Sequence, residues 1–395
     1  MARGRILLLV WVLVLWAWDG PGAAASPQAG SDRLLREAVE EQLRLLDTRA
    51  LDELLAGLDD DIRRRLPAAG LRDVLLDPQG GLRLNPVELG LEMLRYLLQE
   101  VLVQSRLLGQ LVVLAVLCGL LHNLAGSLSK AATEFGFLAA YLVVIFIGLQ
   151  SFSLAADIGR GTLATMSGFM LSLLPLLSTM LAAVGAVSSA ALFHPMLVTS
   201  VTLVVNLIER VVFPLLFLAA ALGVVGRIAT EFPLTRIAGL FRQGAVTALG
   251  FFFTLFLGVM VIRGAIAPVA DGVALRAGKF LAGAFIPVVG GMMADAMEVV
   301  MGGSLLIKNA IGVFGMATLL ILLAFPLLKI FALVVIYRVA TVLVEPISDA
   351  RLVDALGTMA QTLMLVMAAV ATAALMFFIV ITVVVGIGNL AAVVR

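Results

Sequence analysis

Beyond residue 106 the chain is a succession of apolar runs, each near or above the roughly 20 residues a helix needs to cross a bilayer. The runs are 107–124, 136–156, 165–191, 196–226, 245–262, 310–344 and 362–387. Breaks are predicted at the polar turn 127–134, at DIGRG (157–161), at Phe193-His194-Pro195 and along the polar link 349–361. Residues 263–279 are Gly-rich and amphipathic and read as an interfacial helix. The expectation is seven crossings, with two further segments able to be re-entrant.

Two runs are too long for one plain crossing. Residues 310–344 carry Pro326, Lys329 and Arg338, and residues 196–226 carry Glu209-Arg210 at their middle with Pro214 just after. The second is either one kinked helix or two half-spans hinged at the charged pair. Positive residues favour the cytoplasmic side, and the stretch 227–242 holds three Arg against one Glu. With seven spans alternating from an exported N-terminus, that stretch falls inside only if 196–226 goes in and out, so the hinged form is expected.

The first 105 residues follow a different pattern. Residues 1–25 place Arg3 and Arg5 before ILLLVWVLVLWAW and end in three alanines, the order of a secretory signal peptide cleaved after Ala25. From Ser31 to Leu66 apolar residues recur every three or four positions, which predicts two amphipathic helices with a joint near Asp47-Thr48 and an end at Pro67. DPQGGLRLNP (77–86) is a break, and another helix follows to about Gln104. The predicted fold is all-α: a small exported helical module (26–105) ahead of a polytopic membrane domain (106–395).

Composition agrees with that division. Hydrophobic residues make up 62% of the chain and charged residues 13%, and mean hydropathy is +1.12, far from the soluble balance. Residues 26–106 hold 15 acidic residues and 11 Arg, about half of all charges. No basic tract suits nucleic acid. The only cysteine, Cys118, lies in an apolar run, so no intrachain disulfide is expected. His122 and His194 sit apart at run ends, which argues against a metal site. GxxxxGK(S/T), HExxH and GxSxG are all absent, so neither bond chemistry nor a cofactor is expected.

Chemistry concentrates in 283–312, GAFIPVVGGMMADAMEVVMGGSLLIKNAIG. It puts Pro287, Gly290, Gly291, Gly302 and Gly303, as candidate helix breaks, beside Asp295, Glu298 and Lys308. Irregular backbone at membrane depth survives only where protein or a watery cavity covers it. Asp295 and Glu298 are three apart and share a helix face. This is either the wall of a pathway or a surface hairpin whose charges reach the headgroups. Candidate pathway or gating residues are Asp295, Glu298, Lys308, Glu209, Arg210, Lys329 and Arg338. Adjacent Glu209 and Arg210 point about 100 degrees apart on a helix, so each is expected to pair with one of the later charges.

LCGLLHNL (117–124), LSKAATEFGFLAAYLVV (128–144) and above all FIPVVGGMMADAMEVVMGGSLLIKNAIG (285–312) resemble the stage III sporulation protein AE family. The resemblance implies a membrane subunit of a secretion-like channel linking mother cell and forespore during endospore formation, needed for late forespore gene expression. It further implies a place in the mother-cell-derived membrane around the forespore, with the N-terminal module outside the mother-cell cytoplasm. The implied partners are the other proteins of the stage III sporulation operon, including a separate ATPase and ring-forming intermembrane-space proteins; membrane lipid is expected around the apolar runs, and the sequence leaves a homo-oligomer open. No site residue comes from the family. A self-contained secondary transporter, coupling protons or cations through Asp295 and Glu298, remains the alternative, and a purely structural anchor is a third reading.

Overall fold

The structure, a computed structural model, describes residues 49–57, 86–123, 130–228, 233–285 and 289–393. The signal segment, most of the amphipathic run 31–66, the break at 77–85 and Pro287 lie outside the described residues. Among the described residues every regular element is helical. In chain order these are α1 (Arg49–Ala56), α2 (Pro86–Val103), α3 (Ser105–Asn123), α4 (Lys130–Ala183), α5 (Val187–Leu207), a π-helix (Ile208–Val212), α6 (Phe213–Val225), α7 (Leu234–Phe285), α8 (Val289–Val344) and α9 (Ala350–Val393).

Several expected breaks are not breaks. DIGRG lies inside α4, where Arg160 and Asp157 pair at 2.9 Å across one helical turn. Gly159 is there for packing, since a Cβ would meet the Phe213 ring at 2.9 Å. Gly302 and Gly303 are corrected too: α8 runs through both pairs of glycines. A glycine inside a helix costs about 1 kcal/mol, whereas a broken backbone hydrogen bond in hydrocarbon has no water to replace it. The helix is therefore kept. The interfacial helix is likewise the continuation of α7, and the polar link 349–361 is largely the first turns of α9, started by Asp349 accepting from the Arg351 N–H at 2.8 Å.

The break that does occur is at Val184–Ala186, not at Phe193-His194-Pro195. Gly185 has φ 94, its N–H donates to the Ala182 carbonyl at 2.9 Å, and the Ala186 N–H donates to the Leu181 carbonyl at 3.0 Å. This paired arrangement ends a helix with a left-handed residue. Pro195 then falls inside α5.

The stretch 196–226 is not hinged. α5, the π-helix and α6 follow one another without a gap, and 187–225 counts as one candidate span. An added residue in the charged stretch is absorbed by one wide turn, which keeps the backbone bonded internally.

Among the described residues five helices are long and apolar enough to cross a membrane: Glu134–Ala183, Val187–Val225, Leu234–Ile266, Val300–Val344 and Ala350–Ile387. A sixth span arises if Gly90–Val103 and Ser105–Leu120, bent by 46°, count as one. Contacts give alternating directions. At one end, called the near end below, Tyr141 of α4 donates to the Val224 carbonyl at 3.0 Å. There too Arg227 pairs with Asp354 at 2.5 Å, and Arg242 donates to Gln361 at 2.7 Å. At the far end Asp271 of α7 meets the start of α5. Helices α8 and α9 form the centre, where Gly315 admits Leu173 to within 2.6 Å of where a Cβ would be and Gly312 lies against Val385. Small residues at such crossings allow backbones to approach, as membrane bundles require.

Candidate functional site

Among the candidates whose side chains are described, Lys308 is the most deeply placed. It is fully buried on α8, and its Nζ donates to the Val385 carbonyl of α9 at 2.7 Å. The ammonium thus reaches a backbone acceptor on α9, eight residues before that helix ends. Ser304, one turn earlier on the same helix, is also buried and donates to the Val300 carbonyl at 2.8 Å. Asp295 and Glu298 lie on the first turns of α8, but their side chains are outside the described residues.

A second group of charges forms a belt midway along the bundle. The close approach of Gly159 to Phe213 puts α4 and the π-helix region at one level. There Arg160 stacks over the Phe213 ring, 6.0 Å from its centroid. Glu209 is half-buried and Arg210 exposed. Tyr337 meets Ser151 at 2.9 Å while Gly315 meets Leu173. These two contacts set Lys329, half-buried on α8, at the same level as Gly159. Arg338 is exposed nearer the near end.

Pairing of the belt charges with Asp295 or Glu298 lies outside the described residues. Among the described residues no ion pair joins Glu209, Arg210, Lys329 or Arg338 to one another. By backbone position Glu209, Arg210 and Lys329 fall in the belt, Arg338 nearer the near end, and Asp295, Glu298 and Lys308 toward the far end. Among the described residues no three His, Cys, Asp or Glu lie close enough to hold a metal ion.

Asp271 was not among the candidates. It is 1% exposed and accepts from the backbone N–H of Ser188 at 3.1 Å and of Ser189 at 3.3 Å, and from the Ser189 hydroxyl. A carboxylate from α7 therefore caps the orphan donors that begin α5. No local signal reveals this, because acceptor and donors are 82 and 83 residues apart.

Comparison with known proteins covers nearly the whole chain. The family model for stage III sporulation protein AE matches residues 71–388. Stage III sporulation protein AE of Bacillus subtilis (strain 168) is 33% identical over 389 residues, taking in 96% of this chain and 98% of that protein. No solved structure matches.

Proposed function

Because the chain belongs to the stage III sporulation protein AE family and carries helices able to span a membrane, we propose that this sporulation protein is a membrane subunit of the secretion-like channel between mother cell and forespore. Late forespore gene expression would depend on it. The observation that carries this reading is a match over 96% of the chain, motifs of 283–312 included. Energy would come from a separate ATPase of the same operon, and ring-forming proteins of the intermembrane space would complete the path.

In this reading the N-terminal module is exported, which sets the orientation. If α2 and α3 cross once, α4 returns and α5–α6 crosses again, so the arginine-bearing stretch 227–242 is cytoplasmic. That agrees with the preference of Arg for that side. No hinge in 196–226 is required, because two expected spans have merged into α4.

The test is genetic. In an endospore former lacking its own copy, this gene should restore late forespore gene expression, and Asp295→Asn with Glu298→Gln should fail to restore it at equal protein level. Normal accumulation of the wild-type chain without rescue would contradict the channel reading. Movement of a proton or cation gradient by the chain alone in liposomes would instead favour the self-contained transporter.

A further inference from the structure

Two of the helices that carry belt charges lie side by side. Helix α4 and the rod made of α5, the π-helix and α6 run antiparallel, and four contacts fix their register. Tyr141 meets the Val224 carbonyl at 3.0 Å, and the Phe152 and Phe217 ring centroids are 5.6 Å apart. A Cβ on Gly159 would meet Phe213 at 2.9 Å, and Ser178 meets His194 at 3.3 Å. In that register Arg160 of α4 lies beside Val212. Asp157 is then three residues to the near side of Arg160 and Glu209 three residues to the far side, about 4.5 Å along the axis in each direction. One cation stands between two carboxylates.

The π-helix decides where Glu209 sits. The Phe213 N–H donates to the Ile208 carbonyl, five residues back, so this turn holds one residue more than an α-helical turn. In an unbroken α-helix Glu209 would share a face with Leu216, seven residues on, and Leu216 is 1% exposed. The wide turn backs the carboxylate off that interior face toward the α4 seam beside Phe213, where Glu209 is half-buried. A carboxylate in the core would lose its hydration without gaining a partner.

Arg160 already lies at that seam. Its guanidinium carbon is 6.0 Å from the centre of the Phe213 ring, and its Nη1 donates to Asp157 at 2.9 Å. The two side chains are 50% and 62% exposed, and the single contact leaves most of the five guanidinium donors for other acceptors. Among the described residues no ion pair takes up Glu209. Arg210, its neighbour, is exposed on a different face of the rod. Lys329 belongs to α8, which meets α4 elsewhere, through Tyr337 and Ser151. The cation best placed for Glu209 is therefore Arg160.

We propose that Arg160 is a two-position latch between α4 and the α5–α6 rod. Turned to the near side it pairs with Asp157 of its own helix, the arrangement in the structure, and leaves α4 and the rod without an ionic tie at this level. Turned to the far side it pairs with Glu209 and fastens α4 to the π-helix. The exchange needs rotation of one half-exposed side chain past the Phe213 ring, whose face attracts the guanidinium. Ion pairs at partly exposed sites contribute little each, so the two positions are close in energy, and whatever spreads or closes the seam shifts the balance between them. The latch goes beyond the channel reading and stands whether or not a path runs through the bundle.

The test is a cycle of substitutions in the full chain, extracted in detergent and melted. Asp157→Asn or Glu209→Gln alone should leave the unfolding midpoint nearly unchanged, because Arg160 keeps one carboxylate. The two together should lower it by about 2–4 °C, more than the separate changes add up to. In the Asp157→Asn background, Arg160→Glu and Glu209→Arg should each lower the midpoint, and the two combined should restore it, since the pair is only reversed. Additive effects, or a loss confined to one of the two carboxylates, would overturn the proposal, because Arg160 would then serve a single partner. So would an exchanged pair that accumulates without recovery, or a midpoint that responds to none of the changes. Rescue of late forespore gene expression by the wild-type chain tests the channel reading separately, so either can fail while the other holds.

Discussion

Gly119→Val is expected to lower the amount of folded protein in the membrane several-fold, while Gly109→Val in the same helix leaves it unchanged. A Cβ at Gly119 would overlap the Ile347 backbone carbonyl in the turn after α8. Backbone in a turn cannot rotate aside as a side chain can. The only relief is to lift α3 off the bundle. Overpacking of this kind costs about 3 kcal/mol, a large share of the 5–15 kcal/mol that holds an ordinary domain together. Gly109 meets nothing within 4 Å, so its substitution keeps composition and helix propensity similar without the overlap. Accumulation and thermal stability of the two variants, side by side, check this.

Asp271→Ala should be the next most damaging single change, lowering stability by about 2–3 kcal/mol, with Asp271→Asn intermediate. Three donors lose their acceptor at once: two backbone N–H groups and the Ser189 hydroxyl. Loss of an N-cap alone costs about 1 kcal/mol. Here the site is buried, so the stranded donors add the cost of unsatisfied polar groups. The loss should appear as a lower midpoint in detergent melts. It should also appear as faster proteolysis near Gly185, where the cap holds the turn between α4 and α5.

The class of fold was legible in the sequence because apolar runs of membrane length leave few alternatives, and the resemblance carried by 285–312 led to the family that the comparisons show. The breaks were harder to read. DIGRG and Gly302-Gly303 look like turns by composition, yet Gly159 serves close packing against Phe213 and α8 continues through both Gly302 and Gly303. The true break at Gly185 sits in AAVGAV, which has no polar residue to announce it. Glu209-Arg210 was the right place for an irregularity, but its form is a π turn inside one rod. Lys308 drew notice by its charge alone, and its acceptor on α9, Val385, is set by the fold. Asp271 was missed because its role is set by residues that only the fold brings near.

How much of the bundle the bilayer covers can be measured directly. The three Trp of the chain, Trp11, Trp16 and Trp18, all lie among residues 1–25, so a chain beginning at Ser26 accepts a single reporter. Val113→Trp on α3 and Leu192→Trp on α5, both at exposed positions, would be compared in bilayers whose acyl chains carry bromine near their middle. Strong quenching of at least one reporter, relative to the same bilayers without bromine, is the expected result. Absence of quenching at both positions would contradict a bundle that spans the membrane.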